Sequence, residues 1–322
     1  MFQESLIFMN PEQFNIFKTI FLSILLEALP FIIVGAVISA IIQVFLTPEK
    51  INKIIPKNRG GAILTASLLG FIFPVCECAI IPITRSLIKK GMPLHAAISF
   101  MLAAPILNPI VLLSTYYAFR GYTVYLLLRA IMAFILATII AYVIGITTKG
   151  DQLLNYHHNT HNHNHNHYHN GCGCCSDFGH SHNKLNRVDH VLEVINHTGH
   201  EFFDVGKFLI LGAFMSALIQ VYVPRSLLLN IGSGNILSII IMMALAFILS
   251  LCSEADAFIA RTFVGQFTTG SILGFILMGP MLDIKNTLMM MGTFKGKFVL
   301  KLTGLIILCT FLMANIINFI GI

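Results

Sequence analysis

The chain has 322 residues, 56% hydrophobic and only 11% charged. Soluble domains carry about 25% charged residues, so a soluble class is excluded and the chain reads as a multi-pass membrane protein in contact with lipid. Its net charge of +6 lies mainly between the apolar runs, where short loops facing a cytoplasm carry their Lys and Arg; no nucleic-acid partner is expected.

The N-terminal stretch MFQESLIFMNPEQFNIFK has neither a basic n-region nor a small-residue cleavage site, so no signal peptide is expected. Apolar segments then follow at 14–46, 61–88, 93–118, 122–146, 204–223, 235–262, 270–291 and 298–320. A crossing needs about 20 apolar residues. The pattern predicts an all-α polytopic membrane protein with about 8 transmembrane segments in two internally repeated halves with broken helices. The division is residues 1–147 as a first repeat, 148–203 as a His/Cys-rich hydrophilic loop, and 204–322 as a second repeat.

Three matches in the same order carry the repeat. FIIVGAVISAIIQV (31–44) aligns with FLILGAFMSALIQV (208–221) at nine of fourteen positions, with Glu27 and Asp204 each four residues ahead. CECAIIPITR (76–85) aligns with CSEADAFIAR (252–261), and APILN (104–108) with GPMLD (279–283). Internal repeats with helices interrupted by Gly or Pro are characteristic of secondary transporters, whose substrate sites lie where the repeats meet. Four full crossings per half make the repeat parallel; a re-entrant segment at 74–105 makes it inverted. Basic residues follow both the first segment (Lys50, Lys53, Lys57, Arg59) and the second (Arg85, Lys89, Lys90), which favours re-entrance.

Pro74 and Pro82 fence the stretch PVCECAIIP in the second segment. A proline frees a backbone carbonyl, and in lipid that group must be satisfied by protein, water or ligand. Ionisable residues there cost about 2.5–3.5 kcal/mol each on insertion scales. The candidate substrate path is Cys76, Glu77, Cys78, Arg85 and Asn108 from the first half, with Cys252, Glu254, Asp256, Arg261 and Asp283 from the second. Thiolates select soft or borderline ions. Asn108 and Asp283 suit ion coordination or the capping of a half-helix. A purely structural alternative pairs Glu77 with Arg85 or Arg261. Glu27 and Asp204 sit nearer their segment starts, as interfacial groups do, and Cys309 reads as packing.

Twelve of the 13 histidines lie between His157 and His200. Imidazole suits Zn, Cu, Ni and Co. His157, His158, His161, His163, His165, His167, His169, His180 and His182, with Cys172, Cys174 and Cys175, are the candidate metal ligands. The stretch is too polar to build a core, so disorder without metal is expected. The thiol crowding is unlike structural zinc spacing, which points to a multi-site collector of divalent or soft ions; no cofactor is required. From Val188 to Phe203 helical character returns, with His190, Glu193 and His197 on one face; an amphipathic interfacial helix is expected there.

On PVCECAIIP (74–82), LAAPILNP (102–109) and GPMLDIKN (279–286), the chain resembles the permease family that includes the organoarsenical permease ArsP and the YraQ-type permeases. The resemblance covers both halves and excludes the histidine loop. It implies a permease of the bacterial inner (plasma) membrane, with trivalent arsenicals or metal ions as substrates and a second membrane subunit as a partner. Family members often read Cys-Ser-Cys-Gly at the break; here Glu77 and Ala79 replace the serine and glycine, which favours a cation.

The function expected is a permease moving a thiophilic metal ion or metalloid outward. The alternative is a non-transporting membrane metal sensor, or a subunit of a two-component membrane permease complex. No HExxH or GxSxG motif points to an enzyme, and no P-loop supplies ATP.

Overall fold

The computed structural model describes residues 11–56, 58–73, 75–148, 150, 152–154, 187–222 and 235–320. The first half runs through α1 (Pro11–Phe45), α2 (Pro48–Ile54), α3 (Arg59–Ile72), α4 (Glu77–Lys89), α5 (Leu94–Leu107), α6 (Pro109–Ala118) and α7 (Thr123–Thr147). The second runs through α8 (Arg187–Tyr222), α9 (Asn235–Leu249), α10 (Ala255–Arg261), α11 (Thr269–Met281), α12 (Ile284–Thr293) and α13 (Gly296–Ile320). Apart from the short α2, the order repeats: a long helix, two broken pairs, then a long helix. Prolines open α1, α2 and α6, the position where a missing N–H costs nothing.

Side-chain contacts fix the direction of each element. Ser67 of α3 pairs with Ser99 of α5 at 2.6 Å, Ser99 also donates to the Ile63 carbonyl, and Gly70 abuts Ala104. Helices α3 and α5 are therefore parallel. Gly145, near the end of α7, lies against both His95 and Arg59, so the starts of α3 and α5 share one end of the bundle. The tight turn through Gly91, at φ +96°, joins α4 to the start of α5; that left-handed conformation suits glycine. Helix α4 thus returns to the end from which α3 departed. The α3–α4 pair is a re-entrant hairpin, and α5–α6 is a full crossing.

The second half does the same from the other end. Ser238 of α9 pairs with Ser271 of α11, and Gly274 faces Ile239 and Met243, so α9 and α11 are parallel and α9–α10 is again a hairpin. Leu153 bridges to Phe294, and the Leu154 amide donates to the Thr293 carbonyl. These contacts hold the α12–α13 turn at the end where α7 finishes. The α11 start, and the hairpin before it, lie at the opposite end. The two halves are an inverted repeat.

Two of the eight expected crossings, 61–88 and 235–262, are these hairpins. Among the described residues, six helices are long and apolar enough to cross, three per half: Pro11–Phe45, Leu94–Ala118, Thr123–Thr147, Val194–Tyr222, Thr269–Thr293 and Gly296–Ile320. The re-entrant stretch is 59–89 rather than 74–105. Lys50, Lys53, Arg59, Lys89 and Lys90 consequently share one end with Lys295, Lys297 and Lys301, the last of which donates to the Thr147 carbonyl at 3.0 Å. Helix α8 begins at Arg187 and passes unbroken through residue 203, so the stretch from Val188 is the first part of a crossing helix rather than a separate interfacial one. Most of Leu94–Ala118 and Thr269–Thr293 is buried, 78% and 89%, against 22–33% for the other four spans. The core is therefore the two broken crossings, and the long helices present apolar flanks such as Leu300 and Phe319 to lipid.

Small residues set the close approaches, as they do between helices in lipid. A Cβ on Gly35 would meet Ala79 of α4, and one on the repeat-matched Gly212 would meet the Lys285 backbone of α12. Overpacking costs about 1–3 kcal/mol, so Gly35→Leu and Gly212→Leu should each lower the melting temperature in detergent. Gly304→Leu, which meets open space, should not. Equal melting of all three variants would remove this constraint.

Candidate functional site

The two hairpin tips meet in the core. Cys76, in extended backbone (φ −80°, ψ 169°), precedes α4, so Glu77 and Cys78 occupy its first turn. In the second half Ser250 takes the left-handed φ of 46° at the end of α9, unusual for a non-glycine. It turns the chain so that Cys252, Ser253 and Glu254 lead into α10. Ser253 donates to Glu77 Oε2 at 3.1 Å, joining tip to tip.

Around that contact lie two buried charge networks. Lys285, at the start of α12, donates to Glu77 Oε1 at 3.3 Å and stands 3.6 Å from Asp283 Oδ2. Arg129 of α7, fully buried, reaches Asp256 Oδ2 at 3.0 Å, Thr115 Oγ1 at 2.7 Å and the Ser253 carbonyl at 3.2 Å. Cys252 donates from Sγ to Glu254 Oε2 at 3.0 Å and lines the same cleft as Glu27. Ile24, Glu27, Ala28 and Phe31 of α1 wall this cleft, whose other side is Cys76, Glu77, Cys78, Cys252 and Lys285. The cleft has only about 10 Å³ for the centre of a water-sized particle, roughly one molecule.

The structure thus gathers Cys76, Glu77, Cys78, Cys252 and Glu254 at one place, with Asp256 and Asp283 behind them. Asn108 and Asp283 cap half-helices: Asn108 Oδ1 accepts from the Ile110 amide at 2.9 Å and Asp283 Oδ1 from the Asn286 amide at 2.5 Å. Capping, one of the two roles expected for them, is what their geometry shows. The two arginines of the expected path stand elsewhere. Arg85 lies about two turns along α4, 3.8 Å from Glu201 and 3.7 Å from Asp204. Arg261 stacks on the Tyr122 ring, 4.7 Å from its centroid. Neither pairs with Glu77, whose partner is Lys285. Glu27 is not interfacial, since it walls the cleft.

Sequence reasoning passed over Lys285 and Arg129. Each is a charge inside an apolar run, which is itself a signal of a polar interior. Among the described residues, no three His, Cys, Asp or Glu side chains stand at spacings that would hold a metal ion. The loop candidates His157 to His182 and Cys172, Cys174 and Cys175 lie outside the described residues, as does Pro74, and the His190 and Glu193 side chains lie outside them too.

Comparison with known proteins gives a consistent result. The model of a family described as "Predicted permease", of ArsP type, matches residues 13–319. The chain is 47% identical to the UPF0718 protein YcgR of Bacillus subtilis, over 90% of this chain and 92% of that one. It is 41% identical to a Streptococcus mutans protein named "Putative two-component membrane permease complex subunit", over 88% of this chain and 89% of that one. No solved structure matches the chain.

The Arg129–Asp256 pair generates a stability prediction. Removing one partner of a buried pair leaves an uncompensated charge and costs about 3–5 kcal/mol, whereas replacing both by apolar groups is often neutral. Arg129→Met should melt well below the parent, and Arg129→Met combined with Asp256→Leu should recover much of the loss. Thermal melts in detergent check this; additive losses would count against the pairing.

Proposed function

The chain belongs to the ArsP-type predicted permease family, and from that premise we propose that it moves a thiophilic metal ion or metalloid cation through the cleft between its hairpin tips. The observation that carries this is the composition of the cleft: three thiols drawn from both halves of an inverted repeat, in a region where acids outnumber bases. Among the described residues gathered there, Glu27, Glu77, Glu254, Asp256 and Asp283 stand with two bases, Lys285 and Arg129. Soft sulfur ligands select thiophilic ions, and the excess of carboxylates favours positive charge. Permease membership speaks for a transporter rather than an enzyme.

The direction is outward. Lys and Arg gather on cytoplasmic loops, so the end carrying Lys50, Lys53, Arg59, Lys89, Lys90, Lys295 and Lys297 faces the cytoplasm. The histidine loop leaves from Thr147 at that same end, where a chelator concentrates ions for export. A second reading, that the chain is one subunit of a two-component permease, is favoured by the Streptococcus mutans relative's name. It leaves the site unchanged.

A deletion strain exposed to Zn, Cu, Ni, Co, arsenite and methylarsenite should be sensitised to the ions carried. Cys76→Ser with Cys78→Ser should fail to restore resistance, because serine keeps the size but loses the soft ligand. Deleting residues 157–182 should only shift the threshold. With both variants at equal membrane levels, a dead loop deletion beside an active double serine variant would sink the proposed path.

Orientation is checked separately. A membrane-impermeant maleimide applied outside cells should label Arg120→Cys directly, and Lys297→Cys only after permeabilisation. The reverse pattern inverts the assigned direction.

A further inference from the structure

The ammonium of Lys285 stands where a transported cation would have to stand. It lies 3.3 Å from Glu77 Oε1 and 3.6 Å from Asp283 Oδ2, and Cys76, Cys78 and Cys252 line the same cleft. Those groups come from both hairpin tips and from the break between α11 and α12. Lys285 is 4% exposed, Glu77 1% and Asp283 0%. The space left beside it is about one water molecule, so a cation entering the cleft would meet the ammonium's like charge at close range in a medium of low dielectric. The ammonium also leaves acceptors over. Asp283 Oδ2 meets the ammonium as an ion pair at 3.6 Å, and both it and the neighbouring Asn286 Oδ1 are buried without a hydrogen-bond partner. A metal ion with several coordination positions can recruit such oxygens in a way that one ammonium does not.

We propose that Lys285 is the resting occupant of the substrate site, a tethered cation that the transported ion must displace and that returns when the ion leaves. This inference rests on the reading that the cleft is the transport path. Its physical sense lies in the return step. A carrier that releases its cation would otherwise reorient with unpaired carboxylates in its core, and an uncompensated buried charge is strongly destabilising. Lys285 offsets one of the two negative charges of Glu77 and Asp283 during that step, and it competes with the ion during loading. It is a positioning and specificity group rather than a ligand: an uncharged solute could not dislodge it.

The test uses the full-length chain in lipid nanodiscs, with Zn(II) as the probe. Alkylation of Cys76, Cys78 and Cys252 by N-ethylmaleimide is followed residue by residue in peptides, which keeps the loop cysteines separate. Zn(II) should protect these thiols, and Lys285→Gln should lower the half-protecting concentration by about tenfold or more, one 1.4 kcal/mol step. Lys285→Arg, which keeps the charge, should not. In proteoliposomes Lys285→Gln should bind more tightly yet turn over more slowly, a split that a merely structural role would not produce. Should the neutral variant fail to fold, the parent protein still decides the matter. Zn(II) should raise the reactivity of Lys285 toward acetic anhydride as the ammonium is released, and unchanged reactivity overturns the proposal. So does an unchanged or raised half-protecting concentration in Lys285→Gln while the parent is protected. If neither protein is protected at concentrations that cover the loop cysteines, the path reading itself falls, and this inference with it.

Discussion

Four half-helices begin inside this bundle, and their first amides must be satisfied without bulk water. That constraint organises the core. Each helix start carries orphan N–H groups and a partial positive charge; two are capped by side-chain acceptors, and the other two carry a carboxylate in the first turn. Asn108 caps α6, Asp283 caps α12, and carboxylates occupy the first turns of α4 and α10 as Glu77 and Asp256. Helix breaks of this kind are tolerated at membrane depth only where protein or a polar cavity surrounds them. The acids needed at the breaks in turn require bases, and Lys285 and Arg129 supply them. The polar centre is thus a consequence of how the chain ends its helices, before any substrate is considered.

The same sequence block is used differently in the two halves. Ser39 and Gln43 of α1 bind the hairpin's returning leg, through the Pro82 carbonyl and Ser86. Their repeat partners Ser216 and Gln220 of α8 instead bind the end of the outgoing leg, at the carbonyls of Ile248 and Leu249. Equivalent side chains therefore hold non-equivalent partners, and the two halves, though repeated in sequence and inverted in direction, differ in how the long helix docks on its hairpin.

The breaks, the repeat and the thiol cluster were legible in the sequence because each leaves a local mark: prolines, matched blocks, and charge inside apolar runs. The location of the re-entrant stretch was not. It depends on α3 and α5 running parallel, and that is fixed by contacts such as Ser67 with Ser99 and Gly70 with Ala104, which no periodicity encodes. Glu77 was correctly placed at the centre, but its partner was not. Arg85 lies nearer in sequence and matches a carboxylate better, yet α4 carries it away toward Glu201 and Asp204. Lys285 sits 208 positions away and reaches Glu77 only through the meeting of two halves. Arg129 likewise shows in sequence as a costly charge, while Asp256, 127 positions on, gives no local sign of being its partner.

Within the aligned hairpin tips, the duplicated halves differ at the charged positions. Glu77 matches Ser253, Cys78 matches Glu254, and Ile80 matches Asp256 across the repeat. Had both halves kept identical residues, a site between them would present each charge twice, and like charges would face each other in a medium of low dielectric. Divergence replaces that repulsion with complementarity. Glu77 of the first half is neutralised by Lys285 of the second, and Asp256 of the second by Arg129 of the first. Lys285 also pairs with Asp283 of its own half, but Glu77 and Arg129 of the first half find their ionic partners in the second. A first half alone would bury Arg129 without Asp256, and a lone buried charge costs several kcal/mol. The crossed pairs therefore make the two repeats mutually obligate.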